Sequence, residues 1–161
     1  MPATNPTDDP LALERQVCFA LAIASRTVLA VYRPVLEPMG LTHPQYLVML
    51  ALWGREPLSV TELSRMLELD AGTLSRLLKR LESAGLVTRE RNPADERSLA
   101  VGLTPRGRAL REDALQVPGR VLESLGMDLD ELVELRERLS RVIDAAKDAT
   151  RETSRETATP A

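Results

Sequence analysis

The sequence predicts a mainly α-helical chain carrying one small β-hairpin, and three observations point there. Apolar residues recur at helical spacing through most of the 161 residues, and with aromatics at only 2% the core must be aliphatic. Ser59 to Gly85, SVTELSRMLELDAGTLSRLLKRLESAG, reads as two helices joined by a tight turn. Directly after it, LVTRERN (Leu86 to Asn92) and SLAVGLT (Ser98 to Thr104) each read as a short strand, with Pro93-Ala94-Asp95-Glu96-Arg97 as the turn between them.

In the first helix of the pair, Ser59 and Glu62 have capping-box spacing, so side chain and backbone can satisfy each other's orphan amides. Val60, Leu63, Met66 and Leu67 then recur at helical spacing. Leu69 and Asp70 make the turn, with Asp70 as N-cap of the second helix. That helix lines Leu74, Leu77, Leu78 and Leu81 on one face, and Gly85 ends it. Ala71, Gly72, Thr73, Ser75, Arg76, Lys79 and Arg80 fall largely elsewhere, small and polar residues first and cations beyond. Reading a major groove with a helix-turn-helix requires that pattern, so these residues and Asp70 are the candidate DNA contacts. A helix-turn-helix followed by a charged hairpin is a winged helix-turn-helix. The hairpin tip holds Arg97, whose planar cation suits a minor groove, and Asp95 is placed to orient that guanidinium. On these residues alone, a helical hairpin with a solvated basic face and a wing charged only for solubility stay open as alternatives.

A chain of this length fits one domain and can bury roughly 70% of its unfolded surface. The net charge of −3 argues against a nucleic-acid partner only as a total. From Arg76 to Arg111 nine cations face four anions, a local balance of +5, whereas from Val121 onward six face ten, or −4. A basic patch is the electrostatic footprint to look for.

The first ten residues, MPATNPTDDP, carry two acids, three prolines and no cation, which is no secretory n-region. The longest uncharged run nearby, Gln16 to Ser25, has ten residues and stops at Arg26, too short to span a bilayer. A cytoplasmic location without a membrane partner is therefore expected. The expected organisation is a disordered arm over 1–10, one domain over 11–148, and a disordered polar tail over 149–161. Within the domain a DNA-binding lobe covers about 55–104, and dimer-forming helices cover about 11–36 and 105–147.

The helix from Leu11 to Leu36 is apolar nearly all round, with Val17, Phe19, Leu21, Ile23, Val28, Leu29 and Val31. A helix without a wet face is buried on several sides, and in a chain this small a second subunit supplies part of that cover. Pro34 and Pro38 end it; Thr42 and Gln45 then repeat capping-box spacing and open a helix through Leu50 to Trp53. After the wing, Thr104-Pro105 is an N-cap with proline at the first helical position. That helix runs to about Gln116 and bends at Pro118-Gly119; a last one runs from Asp128 to Lys147 with an apolar stripe through Leu132, Leu139 and Ile143. The fold class is thus mainly α with a β-wing, a homodimer through its N- and C-terminal helices.

Cys18 is the only cysteine, so an intramolecular disulfide and a cysteine-rich metal site are both out of reach. No metal and no cofactor is expected. A lone buried cysteine is usually a small hydrophobe; reactivity requires nearby donors or positive charge. Tyr32 lies fourteen residues on, roughly 1,400° of turn and about 21 Å along the axis. Within one straight helix the two side chains cannot meet, but across an antiparallel two-fold pair they can. His43, the only histidine, opens the next helix and can join them, although alone it reads as a surface or capping residue.

The order helix, helix, capped hairpin, wing and terminal helices resembles the MarR family of bacterial repressors. Val17 to Trp53, VCFALAIASRTVLAVYRPVLEPMGLTHPQYLVMLALW, together with Leu69 to Arg97, LDAGTLSRLLKRLESAGLVTRERNPADER, is similar to its organic-hydroperoxide-sensing OhrR branch. The match covers about residues 13–147, and CFAL around Cys18 is among its most specific parts. The resemblance implies a homodimer whose reduced form binds a palindromic operator in double-stranded DNA and represses transcription. It implies that organic hydroperoxides oxidise Cys18 to a sulfenic acid and that Tyr32 of the partner subunit hydrogen-bonds the thiolate. His43 stands where the branch usually has a second tyrosine, and Ala22 where it often has an aromatic. Ala71 and Arg76 stand where serine and proline are common. An imidazole can still donate to a thiolate, and Arg76 can reach guanine or phosphate. A second cysteine near the C-terminus marks one subtype and is absent here. The sulfenate then needs an external low-molecular-weight thiol as resolving partner, or passes to over-oxidation. Either product enlarges a packed interface and shifts the dimer's population. Because half-sites lie one DNA turn apart, about 34–36 Å, a small displacement loses one of them.

Three alternatives stand beside this reading: a repressor of the same fold relieved by a small phenolic or apolar acid, with Cys18 structural; a one-cysteine thiol peroxidase; and a DNA-compacting protein without specific sites. The peroxidase requires a strand-rich thioredoxin-like framework or an activating arginine beside the thiol, and neither is evident. An enzyme is therefore not expected.

Overall fold

The computed structural model describes residues 9–92 and 95–157, leaving the side chains of 92–98 and 154–157 outside that description. Residues 1–8 of the expected arm and Pro93-Ala94 of the expected turn lie outside the described residues. Helix α1 spans Val17–Leu36, later than the expected Leu11. The Asp9 carboxylate accepts from the Leu11 N–H at 2.9 Å, and a single 3-10 turn, Leu13–Arg15, follows. A short side chain bonded to nearby backbone competes with a helix start. Pro34 lies inside α1 and does not end it.

Helix α2, His43–Gly54, opens on Thr42, whose N–H donates to Gln45 Oε1 at 2.9 Å. A two-residue strand that the sequence did not suggest follows, β1 at Leu58–Ser59. Helix α3 is Val60–Leu67. Its capping box closes both ways: the Ser59 N–H donates to Glu62 Oε2 at 2.8 Å and the Glu62 N–H donates to Ser59 Oγ at 3.1 Å. Leu63 is buried, but Met66 is 53% exposed, so the apolar stripe of α3 is narrower than its spacing suggested. Helix α4, Ala71–Ser83, buries Leu74, Leu78 and Leu81.

Strands β2, Val87–Asn92, and β3, Asp95–Leu103, form the wing. The sheet is antiparallel in the order β1-β3-β2, with Val87 opposite Leu103, Arg89 opposite Val101 and Leu58 opposite Val101 on the other side. Strand β3 starts three residues before the expected Ser98, so Asp95 and Arg97 belong to the strand and not to the turn.

Helix α5 is Pro105–Ala114 and α6 is Val117–Leu125. The break falls at residues 115–116, and Pro118 sits in the first turn of α6 where its missing N–H costs no hydrogen bond. Helix α7 spans Leu129–Thr157. The tail expected to be disordered from residue 149 is therefore helical as far as Thr157, since nothing in TRETSRET breaks a helix once started. Its start is fixed by Asp128 and Glu131, each N–H donating to the other's carboxylate at 2.9 Å.

The chain divides between Pro118 and Gly119 into two compact units. In the first, Leu36, Met49, Leu52, Leu63, Leu74 and Leu78 are at most 1% exposed and make an aliphatic core. Along α1 only Leu36 is buried, while Val17 is 67%, Leu21 39% and Leu29 40% exposed. The stretch Val17–Met39 is also long and apolar enough to cross a membrane by length and composition, at mean hydropathy 1.4. The expectation that this segment is too short rested on its uncharged run, which Arg26 interrupts.

Candidate nucleic-acid interface and redox site

The recognition helix α4 begins on a small polar network. Asp70 Oδ1 accepts from the Thr73 N–H at 2.8 Å, and the Thr73 hydroxyl donates to Asp70 Oδ2 at 2.6 Å. Those hydrogen bonds hold the Asp70 carboxyl below the usual carboxylate range. Arg76 Nη2 in turn donates to Thr73 Oγ1 at 3.3 Å, which draws the guanidinium toward the start of the helix. At Gly72 a Cβ would stand 3.2 Å from Asp70 Oδ1, so the glycine leaves room for that carboxylate. Ala71, Gly72, Ser75, Arg76, Lys79 and Arg80 are exposed and Thr73 is half-buried. Seven of the candidate DNA contacts thus share the accessible part of one helix. Asp95 and Arg97 sit on β3, with side chains outside the described residues.

Other cations of the basic stretch are engaged within the lobe. Arg89 donates to Glu82 Oε2 through Nε and Nη2, tying β2 to α4 and holding the Glu82 carboxyl down. Arg106 donates to the Ala84 carbonyl at 2.8 Å. Arg108 Nε donates to Glu56 Oε1 at 2.6 Å, and the Leu103 N–H donates to Glu56 Oε2 at 2.7 Å. Partial burial raises the Glu56 carboxyl, but these donors outweigh it and leave its pKa below the usual value.

Cys18 is the second residue of α1 and is exposed. Tyr32, further along the same helix, meets His43 at the start of α2, ring centroids 5.1 Å apart and edge to face. At 1.5 Å per residue Cys18 lies about 21 Å from Tyr32 along α1, so the single chain brings Tyr32 and His43 together and leaves Cys18 away from both. Partial burial pushes the His43 imidazole down, favouring its neutral form. Two aromatics that sequence reasoning missed extend the pair. Tyr46 lies 6.3 Å from Tyr32, and Trp53 lies 6.3 Å from Tyr46. Burial, and secondarily the proximity of Tyr32, pushes the Tyr46 phenol up. His43, Tyr46 and Trp53 stand at i, i+3 and i+10 along α2, a one-face spacing that would have revealed them.

A capped helix-turn-helix with an exposed polar recognition helix and a wing within a three-stranded sheet defines a winged helix-turn-helix DNA reader. Residues 41–99 match the model of the MarR family. The organic hydroperoxide resistance transcriptional regulator of Bacillus subtilis (strain 168) is 43% identical over 127 residues, covering 77% of this chain and 86% of that protein. The reduced form of AbfR bound to DNA, a Staphylococcus epidermidis protein, is 34% identical with a TM-score of 0.69, covering 83% of this chain and 94% of that one. AbfR has also been seen bound to DNA in an overoxidised form, with a TM-score of 0.68. Bordetella bronchiseptica BpsR, whose DNA binding is regulated by 6-hydroxynicotinic acid, gives a TM-score of 0.76 at 27% identity, covering 84% of this chain and 99% of that one. This chain belongs to the MarR family, and its named relatives are transcriptional regulators rather than enzymes.

Proposed function

We propose that the chain is a homodimeric transcriptional repressor whose reduced form holds a palindromic operator and which lets go when an organic hydroperoxide oxidises Cys18. The observation that carries this is the placement of Cys18 at one end of an apolar, uncovered α1 and of the Tyr32–His43 pair at the other. Antiparallel pairing of two such helices sets each cysteine beside Tyr32 and His43 of the partner subunit.

The chemistry balances with one cysteine. The Cys18 thiolate attacks the terminal peroxide oxygen, the O–O bond breaks and an S–O bond forms. Sulfur loses two electrons, and the departing alkoxide takes up a proton as the alcohol. A low-molecular-weight thiol then condenses with the sulfenic acid, forming an S–S bond and releasing water. Because overoxidised AbfR has been captured on DNA, the mixed disulfide is the product to which release is assigned here.

The test is a gel shift on a palindromic duplex from the chain's own upstream region, before and after cumene hydroperoxide, with mass analysis of Cys18. Cys18→Ser should bind and stay bound; a Cys18→Ser protein released as readily as the parent sinks the proposal.

One observation favours a second reading. Tyr46, Leu50, Trp53, Arg111 and Leu115 line a cavity of about 290 Å³ between α2 and α5, an apolar recess with one cation that suits a small aromatic acid. On that reading Cys18 is incidental, and alkylating it leaves acid-induced release intact.

A further inference from the structure

We infer that Trp53 is a positioning residue that carries the state of the redox site to the recognition helix; the inference rests on the peroxide-sensing reading and deepens it. The contacts run unbroken from the redox site to α5. Tyr32, which with His43 faces the partner's sulfur in that reading, meets His43 on one side and Tyr46 on the other, and Tyr46 meets Trp53. Tyr46 is only 5% exposed, so it has no solvent into which to yield. Trp53 Nε1 donates to the Gly107 carbonyl at 2.9 Å, in the first turn of α5.

That turn is bolted to the end of α4. The Thr104 hydroxyl donates to the Gly85 carbonyl at 2.6 Å, the Thr104 N–H donates to the Leu86 carbonyl at 3.1 Å, and Arg106 holds the Ala84 carbonyl. Gly107 itself lies so close to the residue that precedes β2 that a Cβ would sit 2.0 Å from the Leu86 carbonyl oxygen. With no slack there, a displacement of the Gly107 carbonyl is a displacement of the residues that terminate the recognition helix. Close-packed contacts of this sort switch between discrete arrangements and do not deform continuously. An indole N–H also simply needs a partner when buried, and a tie that did only this would lower stability and weaken reduced and oxidised binding alike.

Trp53→Phe keeps the ring and removes the donor. In the full-length chain, operator Kd is measured reduced and after cumene hydroperoxide with glutathione, alongside the rate of Cys18 modification by mass. The expected result is Cys18 modified at the parent's rate while the oxidised-to-reduced Kd ratio falls at least tenfold below the parent's. An unchanged ratio overturns the inference. Trp53 is the sole tryptophan, so the unsubstituted protein gives a second readout: its emission should shift on Cys18 oxidation without DNA, and not in Cys18→Ser. Release of operator with no change in emission also overturns the relay. If the parent itself is not released by peroxide, the sensing reading fails and takes the relay with it, which is distinguishable from a releasing parent matched by an equally releasing variant.

Discussion

The DNA-reading lobe and helix α1 are built on opposite terms. The lobe closes on itself: both of its helices carry their own caps, Leu63, Leu74, Leu78 and Leu81 are out of water, and Glu82–Arg89 pins the wing to α4. Helix α1 fully buries one residue of twenty and leaves Val17, Leu21, Ile23 and Leu29 exposed. The lobe is therefore stabilised by contacts within one chain, whereas α1 acquires its hydrophobic stabilisation only when a second surface arrives. The proposed sensing by Cys18 would then fall on the helix whose environment is supplied by another subunit.

The largest effect that would break this contrast comes from α1. Leu29→Asp places an unpaired carboxylate on the exposed apolar face, and burying such a charge costs several kcal/mol. Sedimentation should show monomer, operator binding should fall by ~100-fold or more at tenfold per 1.4 kcal/mol, and circular dichroism should keep the lobe's signal. A dimer that forms normally would show that α1 does not pair.

Within the lobe the matching change is Leu74→Ala, which empties space in a core that no partner completes. A loss of about 2–5 kcal/mol in urea unfolding is expected, independent of protein concentration once dimer dissociation is accounted for. A smaller effect sharpens the electrostatic side. Glu56 has its carboxyl pKa held down in the folded state, so its contribution is present above the unfolded carboxylate pKa of about 4.3 and is lost as pH falls through the folded value. The urea midpoint of the parent should exceed that of Glu56→Gln at pH 7 and converge with it on acidification below about pH 4. A constant gap would assign the difference to shape instead of charge.

The same contrast separates what is legible in the sequence from what is not. Caps and 3.6-residue periodicity are local, so Ser59, Asp70, Thr104 and the leucines of α4 announced their elements directly. Strand β1 is two residues long and exists only because Val101 lies opposite Leu58; no local signal marks it. Arg108 on Glu56 and Trp53 on Gly107 join residues 52 and 54 positions apart, beyond any spacing argument. The Tyr32–His43 pairing was legible because the two fall near the ends of consecutive helices. Tyr46 and Trp53 were present as a helical face, and their importance emerges only once Gly107 is found beneath them. The start of α1 was misplaced because Asp9 forms a turn of its own there.

Arg89 and Arg108 each answer a carboxylate of their own chain, which offsets two of the nine positive side chains from Arg76 to Arg111. Fewer displaced counterions mean a weaker grip on random sequence. If Thr73, Ser75 and Arg76 are the base-reading residues proposed for α4, such a reader leaves wrong sites quickly, and its search of a chromosome is governed more by rejection than by adhesion.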